Sequence, residues 1–436
     1  MSSLLCLGRH TVTGLLSTCG AQFQDWTASY RLFSRLRFDS NALFSGIRSA
    51  CLEQMPDLSA VCLSVDDSLL PKCGPKTPGV AWRRDPQGPP FQTNLIRAQR
   101  VLQFSALVPV SNSPALRAIP VDFLHAPTPP KLARDASEQQ KKEHKQLAES
   151  LNLGTRALQQ WEQMKGAFAG RRVLLLSDAR FTTQRFLKGL PHELTLIGRV
   201  RKDAKLFYLP AQQPATGRRR CYGAPAPTPE QIRQDPAHPW QQIQVHAAGA
   251  DHTCRIKVVD QVLWRPAGAA RVLRVVIVAP LAYRPRKGSR IRYRDPAFLI
   301  CTDPTLPPQQ IVQQYFHRWD IEVNFRDQKT LLGVGQAQVH HANSCQSVPA
   351  LQVAAYALLL LAAARLHHSH FLPLPKWRAR HCSERQSTQR LLRNLRFEVW
   401  GRGLGLSRFS GFSCQTPPHQ NPEKLLLALP SALFYV

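Results

Sequence analysis

The chain is short of acid: 28 Asp plus Glu stand against 57 Lys plus Arg, a formal net charge of +29 over 436 residues. The basic residues are spread in clusters along the sequence, so the imbalance points to a polyanionic partner. A membrane span is missing too. Val348 to Ala364, the best candidate, falls short of the roughly 20 apolar residues a bilayer demands and contains Pro349 and Gln352, so it reads as a buried core helix. Met1 to Gly20 lacks the basic start, long apolar block and cleavage site of a secretory leader. Cysteine pairs are absent as well. The 11 cysteines are scattered, with no CxxC and no Cys/His box, which disfavours a zinc site and suits free thiols in a reducing, cytoplasmic and nucleoid-associated setting. His340 and His341 are adjacent and read as polar surface residues, and no internal repeat or long low-complexity tract is evident.

The patterning that is present alternates between helix and strand. In the first sixty residues Trp26, Tyr30, Phe33 and Phe38 are interleaved with Arg31, Arg35 and Arg37, which suits a small helical unit able to bind DNA. From Val61 the apolar residues alternate, predicting a strand that stops at Asp66 and Asp67, and further strands are expected over Val101 to Val110 and Leu116 to Leu124. Helices broken near Gly154 are expected over 136–168, then a buried strand at Val173 to Ser177, a helix capped by Thr182 or Thr183, and a strand at Leu194 to Val200. Residues 210–300 change texture. They are rich in Pro and basic residues, with β-patterned runs at Gln241 to Val245, Arg255 to Leu263 and Arg271 to Val278. Arg218 to Arg220 and the cluster Arg284, Arg286, Lys287, Arg290, Arg292 and Arg294 around Tyr283 and Tyr293 suit a nucleic-acid surface or a solvated basic face.

These readings divide the chain into a helical N-terminal region (1–59), a first core segment (60–209), a β-rich basic insertion (210–300), a second core segment (301–370) and a basic C-terminal region (371–436). The fold expected is α/β: a mixed sheet with flanking helices, interrupted by the insertion.

One segment carries the densest chemistry. YFHRWDIEVNFRDQK, from Tyr315 to Lys329, follows Pro307 and Pro308 and ends before Gly333, as a single helix should. At 100° per residue, Tyr315, Arg318, Glu322 and Lys329 fall within an arc of roughly 60°. An exposed i, i+4 salt bridge would explain Arg318 and Glu322 alone. Trp319, Ile321, Val323 and Phe325, however, make the remaining girth apolar, and a buried helix rarely carries charge without a reason. Asp67 and Asp178 each follow an apolar strand, where α/β sheets hold ligands. Three carboxylates in a basic chain suit phosphoryl transfer on a polyanion through two divalent cations, since hard cations need oxygen ligands.

Here the residues resemble a family. Tyr315, Arg318, Glu322 and Lys329 reproduce the YREK spacing of DDE-type insertion-sequence transposases, while VDDSLLPKCGPKTPGV (65–80) and LLLSDARF (174–181) are similar to that family's first and second Asp regions. The resemblance spans roughly residues 10–365. It implies a ribonuclease-H-like core, two Mg²⁺ or Mn²⁺ ions, cleavage of double-stranded DNA at transposon ends and transfer of the freed 3′-hydroxyl to target DNA. Carried onto this chain, Asp67, Asp178 and Glu322 would hold the metals, and Tyr315, Arg318 and Lys329 would hold phosphates. Ser68 stands where the family often has Thr, and the Asp66–Asp67 pair offers two candidates for the first ligand. Parity favours Asp67, which points with Val61, Leu63 and Val65, with Asp66 as the alternative. The expectation is a transposase that is homodimeric when it pairs two DNA ends and has no membrane partner. A DNA-binding remnant and a structure-selective nuclease on the same fold are the alternatives.

Overall fold

The structure is a computed structural model that describes residues 1–436 except 57–59, 75, 90, 112, 114, 214–215, 248, 287, 367–384 and 404–436. Lys287 of the basic cluster, Cys382, Cys414 and most of the 371–436 region therefore lie outside the described residues.

Four helices open the chain: α1 (Ser2–Leu5), α2 (Val12–Thr18), α3 (Thr27–Ser34) and α4 (Ser40–Leu52). Strands β1 (Val61–Pro71), β2 (Val80–Arg84), β3 (Leu95–Pro109) and β4 (Leu116–His125) follow. Two helices, α5 (Glu138–Ser150) and α6 (Leu153–Met164), lead to β5 (Val173–Ser177), α7 (Gln184–Gly189) and β6 (Leu194–Arg199). Asn152 caps α6 through Gly154 N–H, and Thr183 rather than Thr182 caps α7. After β7 (Leu206–Tyr208) and α8 (Pro229–Gln234) come β8 (Gln241–Ala247), β9 (Ala250–Trp264) and β10 (Leu273–Val278). A small hairpin, β11 (Ala282–Tyr283) and β12 (Arg292–Tyr293), precedes β13 (Ala297–Cys301) and helices α9 (Pro308–His317), α10 (Trp319–Thr330), α11 (Ala342–Arg365) and α12 (Thr388–Gly403).

All strands but the hairpin share one 11-stranded sheet in the order β2-β3-β1-β5-β6-β13-β10-β9-β7, with β4 beside β3 and β8 beside β9. The β1–β5 and β5–β6 pairs are parallel, and β1, β3 and β4 are antiparallel neighbours. The run β4-β3-β1-β5-β6 is a ribonuclease-H-like mixed sheet. The strands of the 210–300 stretch extend it: β13 pairs with both β6 and β10, and Leu299 and Ile300 are fully buried.

Both sides of the sheet are covered. Val61, Leu63 and Val65 of β1 pack with Phe44 and Ile47 of α4, Trp161 of α6 and the length of α11. Cys62 of β1 with Leu174 and Leu176 of β5 packs instead with Ile311 and Val312 of α9. Helix α11 is long and apolar enough to cross a membrane by composition, but most of it is buried inside the protein, as the interrupted apolar run predicted. His340 and His341 are exposed, and His341 caps α11. Among the described residues every cysteine is a free thiol.

Two expectations change. Strand β1 does not stop at the acids: its ladder with β3 runs on through Asp66 and Asp67 to Pro71, because β3 is long enough to supply partners throughout. The Tyr315–Lys329 segment is two helices meeting at Arg318, where the bonding tightens from i, i−4 to i, i−3 (Arg318 N–H to Tyr315, Ile321 N–H to Arg318). The apolar girth is also narrower than the sequence suggested, since Trp319 is exposed while Ile321 and Phe325 are buried.

Candidate active site

The parallel ladder sets the position of the acids. Val65 lies opposite Ser177, so the next residue on each strand, Asp66 on β1 and Asp178 just past β5, emerges beside the other. Burial, reinforced by the charge of Asp178, raises the Asp66 carboxyl from its ordinary 3.8 to about 7, against the opposing pull of Arg318. Asp178 also shapes its turn, accepting the backbone N–H of Arg180 at 2.8 Å. Gly198 on β6 keeps the neighbouring wall tight: a Cβ there would lie 2.4 Å from the Thr182 methyl and 3.0 Å from Ser177 Oγ.

Helix α10 covers the face toward which Asp66 points. Asp66 pairs with Gln103 of β3, whose side-chain oxygen accepts from Gln328 of α10 at 2.8 Å. Ser64, two residues earlier, pairs with Ser105, and Asn324 of α10 donates to Ser105 Oγ at 3.3 Å and to the Ala118 carbonyl at 3.1 Å. Tyr356 of α11 completes the set by donating to Asn324 Oδ1 at 3.2 Å. A polar network inside an otherwise apolar layer fixes the helix in one register, because any slip would leave these groups without partners.

With α10 so held, Arg318 at the α9–α10 junction reaches two of the acids. Its Nη2 donates to Glu322 Oε1 at 2.6 Å and its Nη1 to Asp66 Oδ2 at 3.4 Å, while the guanidinium sits 5.6 Å from the Tyr315 ring centre. Burial works against the Arg318 charge, but Tyr315, Glu322 and Asp66 hold its pKa above the ordinary value. Burial likewise raises the Tyr315 phenol. Lys329, just under two turns after Glu322, donates to Ser68 Oγ at 2.6 Å, and burial lowers its pKa against the attraction of Asp67. Tyr315, Arg318, Glu322 and Lys329 therefore line one side of β1 with Asp66, Ser68 and Asp178.

Asp67 is elsewhere. Its ladder partner, Leu102, belongs to the core layer shared with Val61, Leu63 and Val65, and both its oxygens accept from Arg180 Nη1 at 2.7 Å. Parity correctly grouped Asp67 with the three apolar residues, but it could not label the site side, because both faces of β1 are buried and Cys62 and Ser64 are as enclosed as their neighbours. Sequence reasoning missed Arg180, Asn324 and Tyr356 altogether. Arg180 stands in the same turn as Asp178, and nothing in the sequence connects it to a residue 113 positions earlier.

In donor chemistry the acids suit hard divalent cations, and the carboxyl of Asp66 is raised first by its burial and then by the charge of Asp178 beside it. Among the described residues no three acidic, histidine or cysteine side chains form a ready-made metal cluster. Arg318 stands between two of the acids, donating to Glu322 and to Asp66.

The β11–β12 hairpin is a second charged feature. Tyr283, Arg284, Arg286, Arg290, Arg292, Tyr293 and Arg294 are all exposed, and Arg294 lies over the Tyr283 ring at 5.2 Å.

Acids at the head of two parallel strands, on a ribonuclease-H-like sheet and under a helix pair that sets Arg318 and Lys329 beside them, define a nuclease-type α/β enzyme. Residues 2–269 match the family model described as DDE superfamily endonuclease, and the chain belongs to that family. The matched region holds Asp66, Asp67 and Asp178 and ends before Glu322. Such an enzyme acts on DNA. No curated protein matches the chain.

Proposed function

We propose that the protein is a DNA transposase that cuts at transposon ends and joins the freed 3′-hydroxyl to target DNA, with Asp66, Asp178 and Glu322 as its metal-holding carboxylates. The observation that carries this reading is the Arg318 bridge between Asp66 and Glu322 beside Asp178, which draws together residues from β1, from the turn after β5 and from α10. Asp66 replaces Asp67 as first ligand because it shares the α10 side of the sheet. Two Mg²⁺ or Mn²⁺ ions bound there would activate water or a 3′-hydroxyl and stabilise the leaving oxygen.

The chain's own groups do the remaining work. Tyr315, Arg318 and Lys329, the YREK residues flanking Glu322, hold the phosphates around the cut. Arg318 is suited to two tasks in turn: it neutralises Asp66 and Glu322 in the free protein, then swings its planar fork to a phosphate and releases both carboxylates. Exclusion of water rests on α9 and α10 closing the site side of β1. A homodimer would bring two ends together.

A DNA-binding remnant is the second reading, favoured by the same guanidinium standing between the acids. Purified protein incubated with DNA carrying its own flanking ends, with Mg²⁺ or Mn²⁺, separates the cases. Strand-specific nicks at the ends, lost in Asp66→Asn, support the transposase; random degradation points to a nuclease, and tight binding without nicks to a remnant.

A further inference from the structure

The side of β1 away from α10 carries an excess of positive charge. Asp67 is the carboxylate at its centre, and Arg180, Arg83, Arg100 and Lys329 all feel its field. The anchors of the other guanidiniums are neutral. Arg83 donates to the Ala98 carbonyl and Thr128 Oγ1, each at 3.2 Å, Arg100 to the Ala126 carbonyl at 2.9 Å, and Arg156 to the His125 carbonyl at 3.0 Å. The Nε of Arg156 is buried without a partner. Carbonyl and hydroxyl oxygens orient guanidinium planes without cancelling their charge, so these cations repel one another across a shared space. The repulsion is legible in their neighbours: burial first, then Arg156, Arg83 and Arg100, push His125 down to about 4. Burial, with Arg180 and Arg156 adding to it, likewise holds Arg100 below its ordinary range.

Beside two of these cations lies a cavity of about 390 Å³, lined by Arg100, Arg180, Thr128 and the first turn of α6 at Asn152 to Gly154. The helix end adds positive potential at the same point. We propose that this cavity binds a phosphate of the DNA backbone, on the opposite side of β1 from the acids, and that Asp67 is the internal counter-ion that keeps Arg180 positioned at its mouth. The proposal rests on the reading of DNA as substrate. It gives the Asp66–Asp67 pair two separate tasks, with the first facing the chemistry and the second organising a phosphate grip.

The test is metal-free binding of a short DNA duplex across a salt series, by fluorescence anisotropy, for the full chain and for Arg100→Gln, Arg180→Gln and Arg100→Lys. The expected result is a fall of about one unit in the slope of log affinity against log salt for each Gln variant, with affinity down several-fold near physiological salt, and a near-native slope for Arg100→Lys. Native slopes in both folded Gln variants overturn the proposal. Titration with inorganic phosphate, read as a rise in melting temperature, separates the sources: a rise that needs Arg100 while the DNA slopes stay native assigns the cavity to a free phosphate and overturns the DNA reading. Nicking is not involved in any of these measurements. Loss of metal-dependent cleavage in wild type with lowered slopes in the variants would therefore sink the transposase reading and leave this site standing.

Discussion

Asp66 and Asp67 are neighbours in the chain and face opposite sides of one buried strand, so a single-atom change at each should have different consequences. Asp66→Asn is expected to abolish nicking while leaving DNA binding intact, and Asp67→Asn to weaken DNA binding while retaining nicking of bound DNA, both read with the end-bearing DNA and Mg²⁺. The reverse pattern would return the first-ligand role to Asp67. Other residue-scale effects concern stability. The Gly79 backbone has φ +72° and lies against the His125 ring, where a Cβ would come within 2.0 Å of ring carbon. Gly79→Ala should therefore cost more than about 1 kcal/mol, seen as a lowered denaturant midpoint. His125 itself supplies a pH dependence. Its folded pKa of about 4 lies below the ordinary 6.5, so the unfolded chain binds the extra proton first. The contribution of His125 to stability is full above about 6.5 and drains away as pH falls toward 4. Comparing urea midpoints at pH 7 and 4.5, His125→Gln should lose less on acidification than wild type, and equal losses would remove His125 as the cause.

At the scale of elements, the α9–α10 pair converts a stripe of side chains into a site. Its docking relies on the Asn324, Ser105, Tyr356 and Gln328 hydrogen bonds, so Asn324→Ala leaves buried partners unsatisfied and should cost about 1–3 kcal/mol. Nicking should fall with it because Glu322 and Arg318 ride on the same helix. Single-turnover nicking and a melting curve on one preparation would reveal both, and a stable, fully active variant would mean that the network does not set the register. Lys329→Ala is expected to lower the DNA salt slope by about one unit, as one lost phosphate contact should. Arg318→Lys should also impair nicking, since an ammonium cannot reproduce two parallel hydrogen bonds. The β11–β12 hairpin offers a comparison. It projects exposed Tyr and Arg, and replacing Arg286, Arg290 and Arg292 with Ala should weaken binding to all DNA sequences with a flatter salt dependence, without touching the metal-dependent step.

For the molecule as a whole, the excess of 57 basic over 28 acidic residues is distributed so that the acids that matter are surrounded by cations. That arrangement draws in a polyanion and lets carboxylates be held together before any metal arrives. Composition, the order of elements along β1 to β6 apart from the short β2, and the Arg318–Glu322 pair were legible in the sequence, since periodicity and i, i+4 spacing are local properties. So were the buried nature of α11 and the exposure of the basic hairpin. What only the tertiary structure decided is which side of β1 each of the two acids faces. A strand buried on both faces alternates without saying which alternation is functional. The answer lies in long-range partners, Gln103 meeting Gln328 on one side and Asp67 meeting Arg180 on the other. Likewise the single helix expected over Tyr315 to Lys329 became two, because the backbone tightens at Arg318, the residue that must span from Glu322 to Asp66. Local rules determined which residues could act; packing across the sheet determined which of them meet.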